Sequence, residues 1–472
     1  MKVTVSSQPL ERLRSPLLMV PILEGDNPLP FQNKAMKGEF KKLYLSYDGH
    51  KGCEKVLFVG LGKKSDLDRE RVRRAFGIAV KAVRDLKIES FSALLKLPRL
   101  SLQEAANSML EGIMLGSYSF DKYKTKPDKK IESVTIINDR NISVRDTEII
   151  CNNVNFVRDL VNENSDVMVP ERMASVARDI AKKGKLKITV LGKGQLKRLG
   201  LNLLLAVSSG SRYSPQLIIL EYKGSPKKEK FAIVGKGITF DSGGLNLKPA
   251  GYIETMRQDM AGAATVFGII KTVAELKLPI NLIAVAPVCE NMIGPRAYKP
   301  GDVFKSYSGK TVEIGNTDAE GRLILADALA YTEKNLKPGL IIDIATLTGA
   351  AYIIFGEHVT AMIGSGDKYK KRLFEAGEKT RERVWELPLY DEYMEELKGD
   401  IADVSNLGYN QGKFAGTIMG GAFLKSFVQK VPLIHLDVGN TAYRDRPPKE
   451  GYIPKNATGI GVRLLVEFFR SL

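Results

Sequence analysis

The sequence predicts an α/β fold, with an N-terminal α/β domain followed by a larger α/β/α domain that has a mixed, largely parallel central sheet. Apolar runs of strand length alternate with helical segments along most of the 472 residues. With 44% hydrophobic residues, a chain of this length can form two or three domains with cores of their own. We place the N-terminal domain at residues 1–145, a connecting helix at 146–165 and the larger domain at 166–472.

The N-terminal domain is expected to begin with a strand, because residues 1–5 read MKVTV. The apolar run VLFV at 56–59 predicts a buried strand, and the pattern at 68–86 predicts a basic helix. Residues 133–137 predict a further strand. A helical pattern from 146 to 160 then predicts the connection to the larger domain.

The larger domain shows six apolar strand patterns that alternate with helical segments. These patterns lie at 187–191, 217–221, 231–234, 282–286, 340–344 and 433–437. In open α/β sheets, ligands bind beyond the carboxyl ends of the strands. Lys236 and Thr346 lie just past the ends of two of these patterns. We therefore expect a functional site at this edge of the sheet.

Cysteine usage and hydropathy indicate the compartment. Cys53, Cys151 and Cys289 are widely spaced without a paired pattern, so no disulfide framework is expected and a reducing compartment is favoured. No apolar run approaches the roughly 18 residues of a membrane span, and the N-terminus does not read as a signal peptide. We expect a cytoplasmic protein.

The net charge of +17 is the least specific feature of the chain. Basic runs occur at 122–126, 182–185 and 227–230. A solvated, lysine-rich surface is the favoured interpretation, and electrostatic binding of nucleic acid is the alternative. The chain shows no helix-turn-helix or zinc-finger pattern that would support the alternative.

The most informative motif is NTDAEGRL at 316–323, directly before a strongly apolar helix. It places Asp318, Glu320 and Arg322 at alternate positions. Thr317 followed by Glu320 also fits the capping box of a helix N-terminus. Taken alone, the motif is compatible with helix capping and with a metal site.

A second charged cluster lies upstream, in and after the glycine-rich segment GKGITFDSGG at 235–244. It consists of Lys236, Asp241, Lys248 and Asp259. Neither the Walker pattern nor G-x-G-x-x-G can be laid over these glycines. Nucleotide binding by a glycine loop is therefore not expected.

The two clusters together favour a metal site. Four carboxylates that converge without cations would repel one another and raise one another's pKa values. They are Asp241, Asp259, Asp318 and Glu320. Two divalent ions roughly 3.5–4 Å apart would use all four, and oxygen-rich ligands suit Zn, Mn, Mg or Co. Lys236 would be a neutral nitrogen ligand, whereas Lys248 and Arg322 would stay charged, to polarise a carbonyl or hold an anion.

With these residues the chain resembles the leucyl aminopeptidases, a family of cytosolic di-metal aminopeptidases that form hexamers. The resemblance rests on NTDAEGRL at 316–323, GKGITFDSGGLNLKP at 235–249, MRQDMAGAA at 256–264, PVCENM at 287–292, SGKTVEI at 308–314, ATLTGA at 345–350 and VWELPLYDEY at 384–393. The N-terminal part matches more weakly, through EGIMLGSYSFDKYK at 111–124. The resemblance implies that 166–472 is a catalytic metallopeptidase domain.

The resemblance also implies a role for each site residue. Lys236, Asp241, Asp259 and Glu320 would hold a more exchangeable metal ion, and Asp241, Asp318 and Glu320 would hold a tighter one. Lys248 would help to polarise the substrate carbonyl, and Arg322 would hold a bicarbonate ion that acts as general base. The substrate-binding positions would be Met256, Thr346, Leu347, Gly349, Gly439 and Ala442.

The implied reaction is hydrolysis of the N-terminal residue from a peptide by a metal-activated water. Two divalent ions, Zn or Mn with Co or Mg as alternatives, would serve each subunit of a homo-hexamer. We expect a broad, leucine-like preference, and Gly439 and Ala442 suggest a roomier pocket than usual, because Gly439-Asn440 replaces the Ala-Gly that is common in the family. Substitutions at these positions put the substrate preference in doubt, not the chemistry.

Three alternatives remain. The same basic hexamer could also bind nucleic acid. A catalytically silent hexamer would be expected to have lost ligands, and all of them are present here. A two-metal phosphatase would share the carboxylates but would not require Lys236 beside a substrate amine.

Overall fold

The computed structural model describes residues 1–25, 36–47, 52–408, 414–446, 449 and 451–472. The chain forms two compact units. The first unit comprises Met1–Asn155 and Asp445–Asn456, and the second comprises Phe156–Arg444 and Ala457–Leu472. The boundary near residue 155 falls inside a helix, Arg145–Asn162. The domain limits at residues 145 and 165 that we drew from the sequence stay a prediction.

The first unit contains a six-stranded sheet with the order β1-β6-β5-β2-β4-β3. Its strands are β1 Lys2–Ser6, β2 Ser15–Ile22, β3 Leu43–Ser46, β4 Cys53–Gly60, β5 Ser90–Leu94 and β6 Ser133–Ile137. All neighbouring strands are parallel except β3, which pairs antiparallel with β4. Two helices, α1 Arg69–Asp85 and α2 Leu102–Gly116, pack against each other.

Helix α1 begins at the predicted place because its sequence supplies a cap and an apolar face. The side chain of Asp68 accepts a hydrogen bond from the backbone N–H of Arg71 at 2.7 Å. Val72, Phe76 and Val83 are among the residues that this helix buries, at the spacing of one helical face. Both the strand and the helix predictions in this unit are confirmed.

The second unit contains most of the remaining elements. Helices are α3 Arg145–Asn162, which crosses the boundary, α4 Pro170–Gly184, α5 Lys193–Leu199, α6 Asn202–Val207, α7 Ala261–Glu275, α8 Glu320–Tyr331, α9 Ala350–Phe355, α10 Asp367–Thr380, α11 Asp391–Glu395, α12 Gly416–Lys425 and α13 Val462–Arg470. Strands are β7 Lys187–Gly192, β8 Gln216–Lys223, β9 Phe231–Gly235, β10 Gly237–Asp241, β11 Asn281–Asn291, β12 Val303–Lys305, β13 Thr311–Glu313, β14 Leu340–Ala345, β15 Thr360–Gly364, β16 Val384–Glu386, β17 Val404–Ser405, β18 Leu433–Asp437 and β19 Tyr443–Arg444, with β20 Asn456–Ala457 at the second boundary.

The central sheet has nine strands in the order β16-β15-β18-β14-β9-β11-β8-β7, with β10 also paired to β11. Its middle, from β18 to β11 and including β10, is parallel. Antiparallel pairs occur between β15 and β18, β11 and β8, and β7 and β8. The predicted mixed, largely parallel sheet is therefore confirmed, and so are the six strand predictions.

The middle strands lie in the core, which explains why their sequences are continuously apolar. Every residue of β9, β11 and β14 is buried, as expected for parallel strands covered on both faces. Helices α8 and α12 pack on one face, through a core that includes Leu325 and Phe423. Among the residues that the structure describes, no helix is long and apolar enough to cross a membrane.

Candidate metal centre

A buried acidic cluster lies beyond the carboxyl end of β9. Asp241, Asp259 and Glu320 each offer a carboxylate oxygen, and these oxygens all lie within 4.8 Å of one another. All three side chains are buried. The fold therefore brings together two charged motifs that are about 60–80 residues apart in the chain.

Three different elements deliver the three carboxylates. Asp241 is the last residue of β10, and Asp259 lies near the end of a 3₁₀-helix, Ile253–Met260. Glu320 is the first residue of α8. A carboxylate at a helix N-terminus is favoured by the helix dipole, so the backbone of α8 supports the negative charge of Glu320.

Lys236 occupies the break between β9 and β10. Its backbone N–H donates to the carbonyl of Ile344 at 3.2 Å, and its carbonyl accepts from the N–H of Ala263 at 2.8 Å. These bonds hold the backbone while the side chain points into the cluster. Its Nζ lies 2.8 Å from Asp259 Oδ2 and 2.8 Å from Glu320 Oε1.

Gly321 explains how the Lys236 side chain reaches this position. A Cβ atom on Gly321 would lie 2.6 Å from Lys236 Cε and 2.7 Å from Nζ. Side-chain atoms do not approach so closely without displacement, so a larger residue at 321 would push the amine away. Close packing of helix α8 against the lysine therefore favours glycine at this position of NTDAEGRL.

A second lysine pairs with the other side of the cluster. Lys248 Nζ lies 2.9 Å from Asp241 Oδ2 and 2.5 Å from Asp318 Oδ1. The side chain of Asp318 is more exposed than the other carboxylates, at 33% of its surface. Four carboxylates thus face two ammonium groups, and if all were ionised this largely buried site would carry an excess of two negative charges.

The pKa values of the cluster reflect burial and the repulsion among its carboxylates. Burial first, and then repulsion from Glu320, raise the pKa of Asp259 to about 7. Burial and the same repulsion also raise the pKa of Asp241 and Asp318 above the ordinary value. Burial alone would lower the pKa of Lys236, but Asp259, Glu320 and Asp241 outweigh it and raise that pKa. Asp241, Asp259 and Asp318 thus favour the protonated form. Burial alone would raise the pKa of Glu320, but Lys236 and Lys248 outweigh burial and lower that pKa.

The capping box that Thr317 and Glu320 suggested is not formed. Helix α8 begins at Glu320, and its N-cap, Ala319, makes no side-chain cap bond. The hydroxyl of Thr317 instead donates to the carbonyl of Gly243 at 2.6 Å and accepts from the N–H of Asn246 at 2.9 Å. Thr317 therefore joins the two motifs, and the local pattern was wrong because this long-range partner competes with the helix end.

Sequence reasoning missed two residues that orient the cluster. Asn291 Nδ2 donates to Asp241 Oδ1 at 2.8 Å and to the carbonyl of Thr317 at 3.0 Å. Tyr298 donates its hydroxyl to the same carbonyl at 2.7 Å. The available signal for Asn291 was a polar residue at the end of a fully buried strand, β11.

Thr346 links the cluster to the loop after β14. Its carbonyl accepts a hydrogen bond from Lys236 Nζ at 2.8 Å, and its hydroxyl donates to Asp259 Oδ1 at 2.7 Å. The next residue, Leu347, donates its backbone N–H to Asp437 Oδ1 at 3.1 Å. Of the predicted substrate-binding residues, Thr346 is therefore in direct contact with the cluster.

Asp437, at the end of β18, was also missed and is fully buried. Its Oδ1 accepts from the backbone N–H groups of Leu347, Thr348 and Gly439, at 3.1, 3.4 and 3.0 Å. Its Oδ2 accepts from the hydroxyl of Thr348 at 2.6 Å. One carboxylate thus holds together the loops after β14 and β18.

The other predicted substrate-binding residues lie around these loops. Met256 is in the same 3₁₀-helix as Asp259. Gly349 is the N-cap of α9. Ala442 is buried, and its N–H donates to the carbonyl of Val438 at 2.9 Å. Their role toward a substrate stays a prediction.

Arg322 is buried and lies two residues after Glu320 in α8. Its Nη1 donates to the carbonyl of Asn406 at 2.7 Å. Within the described part of the chain, its Nε has no hydrogen-bond partner. Because a buried donor without an acceptor is costly, this guanidinium is suited to hold an anion.

The donor set fits a divalent cation. Carboxylate oxygens are the ligands that Mn²⁺, Mg²⁺ and Zn²⁺ accept in hydrolytic sites, and the buried excess of negative charge is what such an ion neutralises. Asn291 and Thr346 orient two of the carboxylates, as second-layer partners do in metal sites. The cluster can therefore bind divalent metal and use it to activate water toward a carbonyl.

Comparison with known proteins agrees with this geometry. Residues 155–466 match the model described as the cytosol aminopeptidase family, catalytic domain, and residues 31–127 match that family's N-terminal domain. A "probable cytosol aminopeptidase" of Geobacter sp. (strain M21) is 45% identical over 428 residues, which cover 89% of this chain and 86% of the relative. One from Geotalea uraniireducens (strain Rf4) is 43% identical over 94% of this chain and 90% of the relative.

A solved structure supports the same conclusion. The bottromycin maturation enzyme BotP in complex with Mn is similar to this chain with a TM-score of 0.90 and 30% sequence identity, over 97% of this chain and 99% of that one. The buried carboxylates of this chain fit a divalent metal ion. This chain is a metal-dependent aminopeptidase, and it belongs to the cytosol aminopeptidase family.

Proposed function

We propose that the protein removes N-terminal residues of leucine-like character from peptides, with two divalent ions and a bicarbonate ion bound in the carboxylate cluster. The observation that carries the proposal is the convergence of Asp241, Asp259 and Glu320, with two buried lysines, at the end of the central sheet. The amine of a free N-terminus is the substrate group that distinguishes an exopeptidase, because an internal peptide bond has none.

The two ions would be held by overlapping ligand sets. Lys236, Asp241, Asp259 and Glu320 would hold one ion, and Asp241, Asp318 and Glu320 would hold the other. When bound, divalent ions lower the pKa of water and polarise a carbonyl oxygen. Lys236 would have to release its proton to act as a ligand, and its position 2.8 Å from two carboxylates leaves it within reach of a shared ion.

Lys248 is placed to act on the substrate carbonyl. It lies at the more open side of the cluster, between Asp241 and the partly exposed Asp318. With the carboxylates engaged by metal, its ammonium group would be free to donate to the carbonyl oxygen and to stabilise the negative charge that develops there. Burial alone would lower the pKa of Lys248, but Asp241 and Glu320 outweigh burial and raise that pKa.

Arg322 would hold the bicarbonate ion. Its unpartnered Nε is a donor that fits an anion, and its Nη1 is fixed by Asn406. The burial that lowers the pKa of this guanidinium makes an anionic partner more favourable. Bicarbonate held by Arg322 would supply a proton acceptor where the carboxylates of the cluster would be engaged by cations.

The loops after β14 and β18 would form the pocket for the first residue of the peptide. Met256, Thr346, Leu347, Gly349, Gly439 and Ala442 are its proposed lining. Asp437 fixes the backbone of two of these segments, so the pocket is preorganised.

Small residues at 439 and 442 suggest a roomy pocket. We therefore expect Leu-, Phe- and Lys-arylamides to be hydrolysed at similar rates. A sharp preference for alanine would contradict this expectation.

We also propose that the chain self-associates, as a homo-hexamer. Helix α9 presents Tyr352, Ile353 and Ile354 to solvent, and Ile353 is 89% exposed. An exposed apolar patch of this kind is typical of a protein interface. Light scattering of the purified protein is expected to give six times the mass of the chain, and Ile353→Asp is expected to reduce it; a monomer at micromolar concentration contradicts the proposal.

The central experiment is removal and replacement of metal. Chelation is expected to abolish hydrolysis of Leu-arylamide, and re-addition of Mn, Zn, Co or Mg is expected to restore it to different degrees. Bicarbonate added to bicarbonate-depleted buffer is expected to raise kcat in the parent protein and not in Arg322→Met. Full activity after exhaustive chelation, or hydrolysis of phosphate esters in preference to arylamides, contradicts the proposed function.

A further inference from the structure

A cavity opens at the opposite end of the central sheet from the carboxylate cluster. Its volume is about 520 Å³, within the usual range for ligand sites. Phe231, the first residue of β9, lines it, whereas Lys236 follows the last residue of that strand. At about 3.3 Å per residue along β9, the cavity lies roughly 16 Å from the metal centre. A small ligand bound in the cavity therefore does not reach the metal centre.

The wall of this cavity is strongly basic. Lys227, Lys368, Arg372 and Arg470 line it, and they come from the loop before β9, from α10 and from α13. Among the described side chains of the lining, Glu229 is the single acidic one. The second unit thus concentrates part of its unexplained positive charge around a concave site rather than spreading it over a convex surface.

The basic loop is held in place although its lysines are exposed. Asn281 Nδ2 donates to the carbonyls of Lys227 and Glu229 at 2.6 and 3.1 Å, and its Oδ1 accepts from the N–H of Ser225 at 3.1 Å. The nearly buried Asn281 thus fixes the backbone of the loop from the side of β11. A fixed loop loses less entropy when its side chains engage a ligand.

The cations on α10 are also fixed. Lys368 and Arg372 are four residues apart, so they project from one face of the helix. Arg372 Nη1 donates to the carbonyl of Ser471, and Lys368 Nζ lies 4.6 Å from the ring centre of Tyr369. These contacts orient the two side chains without neutralising them.

One side of the cavity is apolar. Phe231 and Phe469 contact each other with ring centres 6.1 Å apart, and Leu278 and Pro279 complete that side. A ligand that fills the cavity therefore meets cations at one part and apolar side chains at another. A phosphate monoester, with a charge of about −1.5 to −2 at neutral pH, matches several cations better than a single carboxylate does.

We propose that this cavity is a binding site for a small organic phosphate, whose phosphate contacts Lys368 and Arg372 and whose organic part lies against the apolar wall. The site is separate from the metal centre and is independent of the peptide substrate. A phosphate could also bind metal ions, so the test must separate the two sites.

Isothermal titration with adenosine monophosphate provides the test. The parent protein is expected to bind it, and Lys368→Gln/Arg372→Gln is expected to weaken the affinity by at least about tenfold, because two charge-assisted contacts are lost. Lys193→Gln/Lys197→Gln on α5 is the matched control, since it removes two exposed charges at the same spacing outside the cavity. This control is expected to bind like the parent.

Hydrolysis of Leu-arylamide at the parental rate would show that the cavity variant is folded and that its metal centre is intact. Should that variant fold poorly, Arg470→Gln at the exposed end of α13 replaces it, with the same expected direction.

No binding by the parent at low salt overturns the proposal, and so does an equal loss in the α5 control. Inorganic phosphate that binds as tightly as adenosine monophosphate also overturns it. If duplex DNA binds more tightly than adenosine monophosphate and both double variants weaken that binding, the proposal is also overturned. The basic side chains would then belong to a nucleic-acid surface.

Discussion

Buried carboxylates are stabilised in two different ways in the second unit. Asp241, Asp259 and Glu320 face one another and two lysines, and together they carry more negative charge than those lysines neutralise. Asp327, two turns further along α8, is equally buried but accepts hydrogen bonds from three backbone N–H groups. The donors are Leu203 and Leu204, at 2.8 and 3.1 Å, and Tyr307, at 2.7 Å.

The difference shows that burial of a charge does not by itself mark a functional site. Asp327 is satisfied by the fold, so it needs no further partner. The carboxylates of the cluster outnumber its two lysines, which is the charge balance that suits a divalent cation. Asp437 is intermediate, since the backbone satisfies it, yet the loops that it holds carry Thr346 of the cluster.

Glu320→Gln should give the largest effect. The substitution keeps the shape of the side chain but removes a charge that both proposed metal sites use. We expect kcat/KM for Leu-arylamide to fall by about 10³-fold or more, because metal ions contribute several kcal/mol of transition-state stabilisation. Metal content should fall in parallel, as measured by elemental analysis.

Asp327→Asn is the matched control for that experiment. It makes the same change from carboxylate to amide, in the same helix and at the same burial. Its metal content and kcat/KM are expected to stay within about twofold of the parent. A large loss in both variants would mean that any buried carboxylate of α8 is needed for folding, and the comparison would fail.

Asp437→Ala should give an intermediate effect. Four donors lose their acceptor, and unpaired buried donors cost about 1–3 kcal/mol each, so the loops after β14 and β18 should lose their fixed positions. We expect KM to rise and kcat/KM to fall by about 10–100-fold, with metal content unchanged. Asp437→Asn retains one acceptor oxygen and should recover most of the loss; unchanged KM in the alanine variant would contradict a positioning role.

The pH dependence of stability should show the smallest effect. Burial raises the pKa of Asp327 from 3.8 to about 7, against the opposing effect of its backbone hydrogen bonds. A raised pKa in the folded state means that the folded protein binds the proton more tightly. The resulting stability is therefore fully present below pH 3.8 and is lost as the pH rises through 7, by at most about 4 kcal/mol.

Urea unfolding of the parent and of Asp327→Asn between pH 5 and pH 8 measures this effect. The free energy of unfolding of the parent should fall more steeply with pH than that of the variant, since the amide does not titrate. Parallel curves would mean that Asp327 is already ionised in the folded protein at pH 5, and that its backbone donors outweigh burial.

Periodicity was enough to predict the central strands and the fold class. The run FAIVG and its parallel neighbours are apolar throughout because they are covered on both faces. The charged residues of the site were also recognisable, since charges so close to buried segments need partners. The apolar runs and the clustered charges each involve residues that are close together in the chain, so a single sequence is enough to reveal them.

The residues that orient the site were not predictable in this way. Asp437 contacts Leu347, 90 positions away in the chain, and Asn291 contacts Asp241, 50 positions away. Nothing local distinguishes them from other polar residues at strand ends. Thr317 was misread for the same reason, because its partner Gly243 lies 74 positions upstream.

The return of residues 445–456 to the first unit has a practical consequence for anyone who wishes to express the units separately. A gene that starts at residue 156 would still encode this segment, with Tyr452 buried in the first unit and bonded there to Glu70 at 3.1 Å. The truncated product would expose that aromatic ring and would be prone to aggregate. A fragment of the second unit alone would need a short polar linker in place of residues 445–456, so a single cut in the chain does not separate the two units.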